Sequence, residues 1–237
     1  MARQGVERRL AAILSADVVG YSCLMGEDDV FDDEISYWVD VATVRGKDEG
    51  TDIEGWGFDV GATYTFDRQF TPYVTLSYAF GSGDSDPDSG DDEAFRQTGL
   101  QDNSDKYGGV TSFSYYGEVF DPVLTNLQVF TAGIGARPTK RSSIDLVFHY
   151  FRQDEFSDSL RSPLDLDPNE DATMMSKSLG SEIDLIIGAR RILPGVNVEL
   201  TVGYFMPGDA FRVMDSTGAF GQTDDAFFAN FQASYRF

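Results

Sequence analysis

The chain has 237 residues, with 40 acidic and 18 basic side chains, a formal net charge of −22, one cysteine and one histidine. That charge excludes nucleic acid as an expected partner, because phosphate binding needs clustered Lys and Arg. The lone Cys23 rules out an internal disulfide, the lone His149 rules out a multi-histidine zinc site, and no run approaches the roughly 18 apolar residues of a spanning helix.

In chain order, the first segment, residues 1–33, fits no strand pattern. Arg3, Arg8 and Arg9 give it a basic start, but Leu10–Leu14 is a short apolar core and Asp17 follows it, so no export signal is visible. From residue 34 onward the chain alternates. Tyr37, Val39 and Val41 oppose Trp38, Asp40 and Ala42; Trp56, Phe58, Val60, Ala62 and Tyr64 oppose Gly57, Asp59, Gly61 and Thr63. Beyond the turn Asp67-Arg68-Gln69, Val74, Leu76, Tyr78 and Phe80 oppose Tyr73, Thr75 and Ser77. Phe113 and Tyr115 mark another run, and Phe130, Ala132, Ile134 and Ala136 the next. Ile144, Leu146, Phe148 and Tyr150 alternate with Asp145 and His149; Ile183, Leu185 and Ile187 with Glu182, Asp184 and Gly188; Val198, Leu200 and Val202 with Asn197, Glu199 and Thr201. The last run sets Phe227, Ala229, Phe231, Ala233, Tyr235 and Phe237 against Asn230, Gln232, Ser234 and Arg236.

Successive side chains of a strand point to opposite faces, so each of these runs is a strand with one greasy and one polar face. Short turns alternate with long polar connections at 81–92, 153–178 and 207–224, and most of the acids fall between strand-like runs, six in 84–93, seven in 154–171, four in 209–225 and four in 48–54. Tight turns on one side and long hydrated loops on the other are the layout of an outer-membrane β-barrel, in which the greasy face meets lipid and the polar face the lumen. A soluble sandwich gives the same alternation with its greasy face inward, but the aromatic ends of the stripes, the charged and glycine-bearing opposite face and the aromatic last residue favour the barrel. Strict alternation of short and long connections calls for a tenth strand around 94–101. The expected fold is therefore all-β, an antiparallel outer-membrane β-barrel of about ten strands, partial, over residues 34–237, with residues 1–33 as a short non-barrel segment. If ten strands do not close, two edges stay unpaired, at 35–46 and at 225–237.

Several segments carry a resemblance. Phe80-Gly81-Ser82-Gly83-Asp84, Ala94-Phe95-Arg96-Gln97-Thr98-Gly99-Leu100, Tyr116-Gly117-Glu118, Leu146-Val147-Phe148-His149-Tyr150-Phe151, Gly180-Ser181-Glu182-Ile183-Asp184 and Phe205-Met206-Pro207-Gly208-Asp209 together resemble the alginate-export family of outer-membrane porins, over about residues 35–237. The resemblance implies the C-terminal part of a larger barrel in the cell outer membrane, diffusion or export of an anionic polysaccharide or small solutes, and no enzyme activity. It leaves open a truncated or fused copy that conducts nothing. Separately, Val6–Ser22 with Leu24-Met25-Gly26-Glu27-Asp28 resembles the opening of a class III adenylate/guanylate cyclase domain, about residues 5–29. In that family the aspartate matching Asp17 binds a catalytic metal, but nothing after residue 30 supplies the other carboxylates that two-metal chemistry needs, so cyclase activity is not expected.

Parity places Asp145, His149, Glu182, Asp184, Arg190, Glu199 and Arg236 on the lumen side, with Arg96 and Arg152 as additions near strand ends. This set is richer in acids than a polyanion channel should be, and lumen ion pairs that stiffen the barrel are the simpler reading of each charge. Asp84, Asp86, Asp88 and Asp91 imitate the spacing of a calcium loop, but Pro87 and the lack of a twelfth-position Glu weaken it; no other cofactor is indicated. Lipid and lipopolysaccharide of the outer membrane are the expected surroundings. A barrel enzyme and a surface-binding structural barrel are the alternatives, and no nucleophile with a positioned base is found for the former.

Overall fold

The computed structural model describes residues 14–23, 34–48, 51–97, 103–170, 175–214, 220–221 and 223–235. Its principal sheet has ten strands. Nine lie in one continuous path: β1 (Leu14–Cys23), β2 (Glu34–Asp48), β3 (Thr51–Thr65), β4 (Tyr73–Gly81), β8 (Leu127–Thr139), β9 (Ser142–Gln153), β10 (Ser178–Leu193), β11 (Val196–Pro207) and β14 (Ala226–Tyr235). Every pairing along that path is antiparallel. The tenth, β5 (Asp91–Asp92), pairs parallel with Asp52 and Ile53 of β3. Two small ribbons stand apart, β6 (Ser104–Asp105) with β7 (Phe113–Ser114) and β12 (Val213–Met214) with β13 (Phe220–Gly221). Among the described residues no helix is long and apolar enough to cross a membrane, which leaves crossing by strands untouched.

The faces are inverted relative to a soluble protein. In β9, Ser143, Asp145, Val147, His149, Phe151 and Gln153 are buried while Ile144, Leu146, Phe148 and Tyr150 are exposed. In β3, Gly57, Asp59, Gly61 and Thr63 are buried and Trp56, Val60 and Ala62 exposed. Across the sheet Trp56 is 50%, Ile134 59% and Phe231 69% exposed, a contiguous greasy surface far larger than a water-soluble monomer normally shows. Burial of polar residues with exposure of apolar ones is the arrangement of a wall bathed in hydrocarbon.

The sheet has ten strands, as expected, but two of them are not the expected ones: β1 comes from the segment 1–33 expected to lie outside the barrel, because Leu14–Cys23 pairs with β2, and β5 is a two-residue parallel pairing. Over its described part the run expected at 94–101 is irregular (residues 94–97), residues 98–102 lie outside the described residues, Phe113 belongs to a short ribbon and Tyr115 to the turn after it. β4 pairs directly with β8, so residues 82–126 form one long connection between neighbouring wall strands. Removing both expected strands leaves the short–long alternation intact, which is why the pattern did not reveal the error. The sheet is open among the described residues. β14 is one edge, as expected, whereas the other is β1, which pairs with β2 through Leu14↔Thr43 to Cys23↔Glu34 and so covers the edge expected at 35–46.

Candidate functional site: the occluded inner face

Residues 103–126 do not extend away from the sheet; they fold back over its inner face. Tyr107, Phe113, Tyr116, Val119, Phe120 and Leu124 are buried there. Phe120 stacks on Phe205 of β11 at 4.5 Å between ring centres and meets Phe151 of β9 edge-on at 4.8 Å. Leu127, Val129, Leu179 and Phe211 complete this core, which lies on the side of the long connections. A second cluster gathers Tyr107, Phe113, Val147 and Ile186. The rings of Trp38, Tyr107 and Tyr115 form a mutually stacked triangle, with centres 5.8, 5.2 and 6.1 Å apart. These contacts explain apolar residues such as Phe151, Ile186 and Phe205 on a face that parity makes polar.

Polar side chains of the wall fasten the segment. The Glu182 carboxylate accepts the backbone N–H groups of Val119 (2.7 Å) and Phe120 (2.9 Å), one on each oxygen. Gly117 makes this approach possible: its φ of +94° is left-handed, and a Cβ there would collide with the Glu182 carboxylate. Asp184 accepts the Glu118 N–H at 3.4 Å, and Asp59 accepts both the Trp38 indole N–H (2.8 Å) and the Tyr116 hydroxyl (3.0 Å). The Val110 N–H donates to the Ser143 hydroxyl at 2.9 Å, and Arg190 Nε donates to the Val110 carbonyl at 3.1 Å. Below the segment Tyr73 donates to Asp145, which shares the inner face with Thr131, itself bonded to His149 Nδ1 at 2.9 Å. His149 Nε2 lies 3.5 Å from Asp184 Oδ2, with both side chains fully buried.

On the segment itself, burial raises the Glu118 carboxyl above its ordinary range, offset in part by the Ser114 N–H and reinforced by Asp121, Glu182 and Glu199. Burial also raises Asp121, and it pushes the Tyr107, Tyr115 and Tyr116 hydroxyls up, with the Asp59 charge adding to each.

Of the residues singled out in the sequence, Asp145, His149, Glu182 and Asp184 are together on the inner face and buried. Arg190 and Glu199 are half-buried at its margin, 3.6 Å apart as an ion pair. Arg96 sits in the long connection, paired with Asp92. Arg152 lies on the opposite, outward face of β9, between buried Phe151 and Gln153; Arg236 lies outside the described residues. Among the described residues no three carboxylate, histidine or cysteine groups converge on a metal-sized site, and Asp84, Asp86, Asp88 and Asp91 do not form one; Asp84 instead accepts the Asp86 N–H at 3.1 Å. Sequence reasoning missed the covering role of Tyr107, Tyr115, Tyr116 and Phe120. The available signal was an aromatic, glycine-bearing stretch without alternation.

The profile of the family described as alginate export matches residues 16–219. The chain belongs to that family. The match begins within β1, inside the stretch that resembles a cyclase opening. The chain is also similar to the alginate production protein AlgE of Azotobacter vinelandii, 34% identical over 142 residues, which is 57% of this chain and 28% of that protein. It is 31% identical over 183 residues to the alginate production protein AlgE of Pseudomonas aeruginosa, 70% of this chain and 35% of that protein. The chain thus spans about a third of the length of these curated relatives.

Proposed function

We propose that this chain forms part of the wall of an outer-membrane channel through which an anionic polysaccharide of the alginate type, or small solutes, diffuse without bond making. The observation that carries the reading is the inverted wall, greasy side out and polar side in, in a chain of the alginate-export family. Asp145, His149, Glu182, Asp184, Arg190 and Glu199 are its lumen-side residues. The acid-rich inner face, which would repel a polyanion in open solution, is engaged in hydrogen bonds to residues 107–124. Passage then requires that segment to move aside, with Arg190 and other basic groups at the margin meeting the solute. The relatives' names, alginate production proteins, support the choice of substrate class.

The test is the full chain reconstituted in planar bilayers under a salt gradient. Discrete conductance steps, reduced by added oligouronate and not by a neutral oligosaccharide of equal size, are expected. Bilayers that stay silent, with the wild-type chain and with Glu182→Gln alike, would sink the channel reading.

A further inference from the structure

The outward face contains a concavity that conduction does not use. One row of outward residues, Tyr37, Ala62, Leu76, Ala132 and Phe148, crosses β2, β3, β4, β8 and β9 in register. Ala62 and Ala132 flank Leu76 and leave it 67% exposed, against 42% for Phe148 in the same row. The small side chains open a shallow groove of about 670 Å³ on this face, lined by Tyr37, Val60, Tyr78, Phe130 and Phe148. Toward the long connections, the outward face ends in Gln128 and Arg152, which are paired in register. Among the described residues no carboxylate lies within ion-pair distance of Arg152. Asp154, at the same end, is held by the Gly83 N–H (3.0 Å) and Gln128 Nε2 (3.1 Å).

We propose that this groove seats one acyl chain of a phosphorylated outer-leaflet lipid, with the lipid phosphate on Arg152. Arg152 lies four positions beyond Phe148, which at about 3.4 Å per residue is about 14 Å along the strand, or about 11 Å of depth at a strand tilt of about 40°. Half of the roughly 25 Å apolar band of such a barrel is close to the same length. The spacing therefore matches a single leaflet, with the charge at the headgroup level and the apolar groove near mid-membrane. Pockets of this kind combine an apolar lining with a few polar groups that set orientation. Asp154, two positions along from Arg152, would disfavour the anion, but its carboxylate is taken up by Gly83 and Gln128.

The inference rests on the membrane placement proposed above. The full chain is placed in phosphatidylcholine nanodiscs doped with bis-phosphorylated or dephosphorylated lipid A, and the lipids retained on release are read by native mass spectrometry. The wild type should prefer the phosphorylated form; Arg152→Gln should reduce that preference about five-fold, the effect of one cation near a membrane surface. Ala132→Phe and Ala62→Phe should lower retention of every lipid while strand content is unchanged. Equal retention by the filled-groove variants, no preference in the wild type, or a groove occupied by a second copy of the chain would each overturn the proposal. Failure to enter nanodiscs at all would instead overturn the membrane reading.

Discussion

Glu182 is the side chain that fixes residues 107–124 to the wall. Its two oxygens each take one backbone N–H, and both bonds are buried. Leaving a buried donor without its partner costs about 1–3 kcal/mol for each. Glu182→Ala is therefore expected to speed hydrogen exchange at the Val119 and Phe120 amides by two to three orders of magnitude, leaving amides of β9 unchanged; identical rates would show that Glu182 does not hold the segment. Phe120→Ala removes the ring that fills the space between Phe151 and Phe205. The expected cost is about 3–5 kcal/mol of segment docking, with early proteolysis between residues 103 and 126 as the readout. Glu118 and Asp121 add a pH dependence. Their carboxyls are raised by burial in the docked state, so docking is favoured once they are protonated and weakened as pH rises through their raised values. Limited proteolysis of the segment should quicken from mildly acidic to neutral pH, and a flat profile would contradict this account.

Among the elements, the wall strands were legible in the sequence and the covering segment was not. β9 alternates without a break over Ile144–Tyr150, and period-two patterning carries both its existence and its facing. Phe113 and Tyr115 show the same spacing for two positions only, and alternation over so short a run cannot tell a wall strand from a ribbon lying inside the barrel. Glu182 and Asp184 could be assigned to the inner face by parity, but their partners are backbone N–H groups of a distant connection, which side-chain patterning does not encode. Nearness to a strand end points Arg152 to the lumen, but the register of β9 turns it outward. Spin labels at Phe58, Leu146 and Leu200 should report contact with lipid chains in reconstituted chain, since these positions face away from the segment. Labels that report a water-excluded protein interior instead would reverse the two faces.

At the scale of the whole molecule, the open sheet sets the behaviour of its ends. β14 is hydrogen-bonded to β11 and to no other described strand, and both of its faces are largely exposed. Unpaired strand edges are sites of further association. Amides of β14 that point away from β11 should exchange at least a hundred-fold faster than those of β9, which is paired on both sides. Equal protection would mean that another strand covers that edge. The chain's nine-strand path also explains why β1 and β14 do not simply join. With every neighbour antiparallel, the first and ninth strands run the same way, and direct closure would need a parallel seam.

The covering segment leaves the wall at Gly81 and re-enters at Leu127, and these two residues are themselves paired across β4 and β8. It is a tongue whose two roots are neighbours. Lifting its residues 103–124 tears no rung of the wall's ladder, so the barrier to unblocking is the rings and hydrogen bonds beneath them.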